Sequence, residues 1–153
     1  MRTINRIFVH CTASSLNASV QSILAEFRRK GWHYPGYHYL IDKEGKTTQI
    51  LHEDYVSNGV KGYNSTSINI AWIGGIDKQH PNGIDNRTDA QKAELRRVLT
   101  ELHKKYPNAK IMGHRDISPD KNHNGKIDPS EFIKLCPCFS AMEEYADIQN
   151  MKV

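Results

Sequence analysis

Residues 6–11 read RIFVHC, a short apolar and β-branched run that ends on a histidine and a cysteine. Such a run suits a buried strand. Strand alternation sends His10 to one face and Cys11 to the other, where the simplest reading of Cys11 is a buried small apolar residue. Outward from this strand, Asn17 to Ser19 offer a helix cap. Val20, Ile23, Leu24 and Phe27 follow at helical spacing, and Gly31 stops the helix. Strands are expected over 37–42 and 47–51, joined by the Lys43-Glu44-Gly45-Lys46 turn, and over 68–75, INIAWIGG. Thr88 with Gln91 forms a capping box ahead of a long amphipathic helix marked by Leu95, Val98, Leu99 and Leu102, which Pro107 ends. A last strand runs over 109–113 to His114, and a short helix over 139–147 closes the chain. Strands alternate with helices but lack the even rhythm of a doubly wound nucleotide fold. The expectation is an α/β protein: a single domain over residues 1–153, with a central mixed β-sheet flanked by helices.

The 153 residues suit one domain with its own core. Hydrophobic residues at 38% and charged residues at 25% describe a globular chain. No apolar run is long enough for a transmembrane helix. The opening MRTINRIFVH lacks the stretch a secretory signal needs, so the chain is expected to be cytoplasmic as synthesised. Net charge is +4 and the basic residues sit in helical patterns, which favours solvated helix faces over nucleic-acid binding and suits an anionic polymer. Neither a nucleic acid nor a membrane is expected as partner, and the chain is expected to act as a monomer. Three cysteines, an odd count, argue against a pure disulfide framework and leave metal ligation or burial.

His10 and His114 each end an expected strand, and Cys136 lies in KLCPC. Two imidazoles and a thiolate suit Zn²⁺, and three protein ligands leave one position for water. Spacing alone leaves open that these residues are unrelated and structural.

Five segments in order carry a family resemblance: IFVHCTAS (7–14), GYHYLIDKEGKT (36–47), KGYNSTSINIAWIGGID (61–77), TDAQKAELRRVLTELHKKYPNAKIMGHRD (88–116) and KLCPCF (134–139). Together they resemble the zinc N-acetylmuramoyl-L-alanine amidases of the amidase-2 family. The likeness is greatest to amidase-type bacteriophage lysozymes, with peptidoglycan recognition proteins more distant. It implies zinc-dependent hydrolysis of the bond between N-acetylmuramic acid and L-alanine in peptidoglycan, at the cell wall after phage-type release. It also implies that His10, His114 and Cys136 hold the zinc, and that Tyr37 and Lys134 flank the reacting carbonyl as catalytic residues. Two departures stand out. Gly59 falls where the phage enzymes carry a histidine, and KLCPC adds a second thiol, Cys138, of which Cys136 is the one that matches the family.

Residues 120–131, DKNHNGKIDPSE, fit the spacing of an EF-hand calcium loop. Asp120, Asn122, Asn124, Lys126, Asp128 and Glu131 would supply the oxygens of a structural Ca²⁺. The flanks do not read as helices, and a polar insertion with Asn-Gly turn chemistry is the other reading. Thr12, His38, Tyr63 and Asn64 fall in segments expected near the zinc and are expected substrate contacts. An inactive peptidoglycan-binding module and a metal-structured interaction protein are the competing functions. Retention of Cys136 and Lys134 disfavours the first.

Overall fold

Five strands form one sheet in the computed structural model, which describes residues 2–118, 121–125, 127 and 135–153. In chain order they are β1 (Arg6–Cys11), β2 (Tyr39–Ile41), β3 (Thr47–Gln49), β4 (Ser67–Trp72) and β5 (Lys110–Gly113). Their order across the sheet is β3-β2-β4-β1-β5. β1 lies parallel between β4 and β5, β2 is parallel to β4, and β3 pairs antiparallel with β2 at the edge. The sheet is therefore mixed, as the sequence indicates. A central strand covered on both faces can be apolar throughout. Accordingly every residue of β4 is buried, and every residue of β1 after Arg6.

Alternation along the strands sorts the core into two faces. On one, Ile7, Val9, Cys11, Ile68, Ile70, Trp72 and Ile111 pack against Leu95, Val98, Leu99 and Leu102 of helix α2 (Asp89–Lys105). Short helices α3 (Ala141–Glu144) and α4 (Ala146–Gln149) extend that face with Ala141, Tyr145 and Ile148. On the other face, Leu40, Ala71 and Ile73 meet Ile23 and Phe27 of helix α1 (Val20–Arg29), while Phe8 packs with Val60 and Met112. Burial of each such large apolar side chain is worth roughly 1.5–3 kcal/mol.

Local signals place the helix ends. Ser19 caps α1 with a Ser22 capping box, and Thr88 caps α2 with Gln91. Gly31, at φ +77, takes the left-handed conformation just past α1. Three strands are shorter than the sequence suggests: those expected over 37–42, 47–51 and 68–75 span Tyr39–Ile41, Thr47–Gln49 and Ser67–Trp72. After Trp72, Gly74 (φ +143) and Gly75 (φ +104) turn the chain out of the sheet. The closing helix expected over 139–147 is divided into α3 and α4. Among the described residues no helix is long and apolar enough to cross a membrane.

β1 and β5 run parallel as neighbours, so their carboxyl ends share one rim of the sheet. Ligand sites of open α/β sheets form outside that rim. His10 lies near the end of β1, and His114 follows β5 directly.

Candidate metal centre

Topology brings together three residues that are distant in the chain. The donor atoms of His10, His114 and Cys136 all lie within 4.8 Å of one another. His10 Nδ1 and Cys136 Sγ are 3.7 Å apart, and the two imidazole rings meet edge-on with centroids 5.1 Å apart. Tetrahedral bonds of about 2.0 Å to nitrogen and 2.3 Å to sulfur would hold two nitrogens and one sulfur roughly 3.3–3.6 Å apart. The donor set and its spacing thus fit one zinc ion. It is the only such cluster of histidine, cysteine or carboxylate donors among the described residues.

Backbone geometry holds the segments in register. The Arg115 N–H donates to the Cys136 carbonyl at 2.9 Å, which ties the residue after His114 to the third donor. The Gly113 N–H donates to Asp116 Oδ2 at 2.7 Å and closes the turn that carries His114. A Cβ on Gly113 would lie 2.6 Å from Pro137 Cδ, so the 136–138 turn seats against β5 only because residue 113 has no side chain. The Cys11 N–H donates to Cys136 Sγ at 3.1 Å and ties the third donor to the end of β1.

The other two thiols are less suited to hold an ion. Hydrogen bonding to Cys136, with burial adding to it, pushes the Cys11 thiol up to about 12. Cys138 is raised further, first by its hydrogen bond to Cys11 and then by burial; the two sulfurs are 3.8 Å apart. Cys11 belongs to the α2 face of the core, as alternation predicts.

His10 and His114 line a pocket of about 220 Å³ with Cys136, Tyr37, Thr12, Phe27, Lys30, Trp32 and Gly59. The Tyr37 ring lies 5.1 Å from that of His10, centroid to centroid, and its hydroxyl points toward the Cys11 carbonyl at 3.4 Å. Burial, with the neighbouring Cys136 and Cys11 as further causes, holds the Tyr37 phenol well above its usual value. Thr12 also lines the pocket, with its hydroxyl accepting the Gly74 N–H at 3.0 Å.

Three of the expected substrate contacts are not brought to the pocket. His38 is fully buried, with Nε2 2.8 Å from the Tyr55 carbonyl and Nδ1 accepting the Asn69 N–H at 3.0 Å. Its polar atoms are engaged inside the protein, and burial lowers its pKa. Tyr63 packs edge-on against Phe8 beneath Arg6, farther down β1. Asn64 Oδ1 accepts the Val60 N–H at 2.7 Å and closes a turn. Lys134 lies outside the described residues, as do Asp120, Lys126, Asp128 and Glu131 of the expected calcium loop. The two remaining loop positions, Asn122 and Asn124, form a local turn in which the Asn124 N–H donates to Asn122 Oδ1 at 3.2 Å. Gly125 follows at φ +82, in keeping with Asn-Gly turn chemistry.

Sequence reasoning missed Asn69, Ser57 and Lys30. The signal for Asn69 was present: a lone amide inside the apolar run SINIAW. A polar side chain at the centre of a buried strand has to be paired. Its Oδ1 lies 2.7 Å from His10 Nε2.

A mixed α/β sheet with a three-donor pocket at its carboxyl rim defines the class: an α/β protein built around a candidate metal pocket. Comparison with known proteins makes the assignment specific. The profile of the N-acetylmuramoyl-L-alanine amidase family matches residues 1–131. The endolysin of Klebsiella phage KP32 is 39% identical over 138 residues, covering 88% of this chain and 81% of the relative. The Ph2119 endolysin from the Thermus scotoductus MAT2119 bacteriophage superposes with a TM-score of 0.71 at 22% identity, covering 99% of this chain and 88% of the other. The N-acetylmuramoyl-L-alanine amidase LysC from Clostridium intestinale URNW does so with a TM-score of 0.70 at 24% identity, over 99% and 88%. At these identities the two solved structures establish the fold. The chain belongs to the N-acetylmuramoyl-L-alanine amidase family. It is an enzyme that acts on peptidoglycan.

Proposed function

We propose that this chain is a zinc-dependent hydrolase of the amide bond between N-acetylmuramic acid and L-alanine, and that residues 1–153 work as one domain and as a monomer. The observation that carries this reading is the convergence of His10, His114 and Cys136 donors within 4.8 Å in the lining of a pocket of about 220 Å³. Zinc held there supplies an acidified water and a Lewis acid for the scissile carbonyl. The chain's own residues do the rest. Tyr37, beside His10, would turn its O–H from the Cys11 carbonyl to the substrate carbonyl oxygen and stabilise the charge that develops on it. Lys134, assigned by the resemblance of its K-x-C-P segment to the phage enzymes, supplies a second positive group for that charge. Phe27 stacks on Trp32 at 5.4 Å and walls one side of the pocket, limiting the entry of bulk water. Thr12, also in the pocket lining, presents a polar edge to the peptide stem.

Digestion of purified peptidoglycan followed by mass spectrometry tests this reading. Cleavage should release intact stem peptides with a new alanine amino terminus and leave the glycan strands uncut. Dialysis against a chelator should stop the reaction, and added zinc should restore it. Cut glycan strands, or undiminished cleavage by metal-free protein, would refute it. An inactive binding module would retain peptidoglycan without releasing peptide.

A further inference from the structure

The buried amide of Asn69 sits on the same sheet face as His10. β4 pairs with β1 so that Asn69 lies opposite Phe8, two residues before the position opposite His10. Its Oδ1 is 2.7 Å from His10 Nε2, while His10 Nδ1 faces Cys136 Sγ at 3.7 Å. One ring nitrogen thus addresses the metal pocket and the other addresses Asn69. We infer that Asn69 is a positioning residue: it fixes the tautomer and the orientation of His10, and is itself held by Ser57 and His38.

Following the hydrogen bonds from their far end gives the polarity. A backbone N–H can only donate, and that of Asn69 reaches His38 Nδ1, so the His38 proton sits on Nε2, 2.8 Å from the Tyr55 carbonyl and 3.3 Å from the Arg2 guanidinium. His38 Nδ1 accepts the Asn69 backbone N–H at 3.0 Å. The Ser57 hydroxyl oxygen, 3.3 Å from the same nitrogen, accepts Asn69 Nδ2 at 2.7 Å. With Nδ2 engaged there, Asn69 presents Oδ1 to His10. An oxygen acceptor requires a proton on His10 Nε2, which leaves Nδ1 unprotonated, the form that ligates a metal. The His38 backbone N–H also donates to the Asn69 carbonyl at 2.8 Å, so His38 clamps the strand as well as the side chain. His38, Ser57 and Asn69 are all fully buried, so water does not compete for these bonds.

Gly59 completes the arrangement. A Cβ at residue 59 would lie 2.8 Å from Asn69 Nδ2 and nearer still to Cγ and Oδ1. Asn69 can approach His10 only because residue 59 has no side chain. The glycine at 59, a departure from the phage pattern, is thereby matched to the asparagine at 69.

The inference rests on His10 being a zinc ligand, and two readouts on the full chain separate its failure from failure of that reading. Long-range ¹H–¹⁵N spectra of the zinc-free protein report the His10 tautomer, and chelator competition reports zinc affinity. The wild-type chain should show His10 protonated on Nε2. Asn69→Leu should lose that preference and bind zinc about 10–100-fold more weakly. Asn69→Asp keeps the acceptor, with the Ser57 hydroxyl turning to donate, and should retain both the tautomer and the affinity to within a few-fold. Ser57→Ala, which removes less volume if Asn69→Leu fails to fold, should produce mixed tautomers and a smaller loss of affinity. An unchanged His10 tautomer and zinc affinity in Asn69→Leu or in Ser57→Ala would overturn the inference, as would an Asn69→Asp protein impaired as severely as Asn69→Leu. A tautomer that depends on Asn69 in a chain that binds no zinc would uphold the positioning and refute the zinc site.

Discussion

Cys136 receives the Cys11 N–H, faces His10 Nδ1 and shares its carbonyl with Arg115, so it joins three segments at one atom cluster. Cys136→Ser removes the soft donor and should lower both zinc content and peptide release by at least 100-fold, as read by elemental analysis beside a digestion assay. In the proposed mechanism Tyr37 and Lys134 act on the reacting carbonyl rather than the ion, which Tyr37→Phe and Lys134→Ala test. Each should keep stoichiometric zinc while turnover falls on the order of 10²-fold, and full activity in either would remove that residue from the mechanism. His38 gives a pH-dependent effect. Burial holds its folded pKa below the ordinary 6.5, so the unfolded chain takes up a proton before the folded one does. That contribution to stability is present above pH 6.5 and is lost as pH falls below it. Thermal melts of the zinc-free chain should therefore shift downward between about pH 7 and 5.5, and His38→Gln should flatten this part of the curve. At this scale the donors were legible because residue type reveals ligand chemistry and the flanking motifs match a family. The burial of His38 was not legible, because sequence adjacency to Tyr37 does not show that its imidazole turns inward, where Asn69 and Tyr55 engage it.

The elements matter through how they seat the segment that carries Cys136. Gly113 ends β5 against Pro137, and Gly113→Ala would drive a Cβ to within 2.6 Å of the ring. The turn would have to move, at a cost of about 1–3 kcal/mol by denaturant melts and with weaker zinc binding. Arg87 is the second anchor. Its side chain is almost fully buried, bonds Asp85 and Glu144, and lies over the Phe139 ring at 3.5 Å. It holds α3 and the 135–140 segment against the start of α2. Arg87→Met should cost about 2 kcal/mol, less than a fully buried pair would, because both carboxylates are partly solvated. The Arg87 hydrogen bond is the main cause of the lowered Glu144 pKa, so this contribution is complete above the usual glutamate value near 4.5 and is lost below it, as pH falls through the lowered folded value. Helix starts were readable from Ser19, Thr88 and Gln91 because capping is local chemistry. Strand ends were not, since Gly74 and Gly75 leave the sheet through backbone angles that an apolar run does not display.

Across the whole molecule, the sheet converts strand order into a site: with β1 beside β5, residues 10 and 114 become neighbours. The α/β class was legible from alternating strand and helix patterns. The order β3-β2-β4-β1-β5 was not, because pairing between distant strands is decided by which faces can be covered together. The net charge of +4 acts at this scale also. An anionic wall should attract the enzyme, so solubilisation of intact peptidoglycan should slow as salt rises from about 50 to 500 mM, while hydrolysis of a small neutral muropeptide changes little. Equal salt sensitivity for both substrates would remove long-range attraction from the explanation. Zinc K-edge absorption spectroscopy on the full chain, loaded with one equivalent of the metal, probes the centre itself. Two nitrogen scatterers at about 2.0 Å, one sulfur at about 2.3 Å and one further light ligand are the expected shell. A shell without sulfur, or one unchanged by Cys136→Ser, would contradict the convergence of His10, His114 and Cys136 on a single ion.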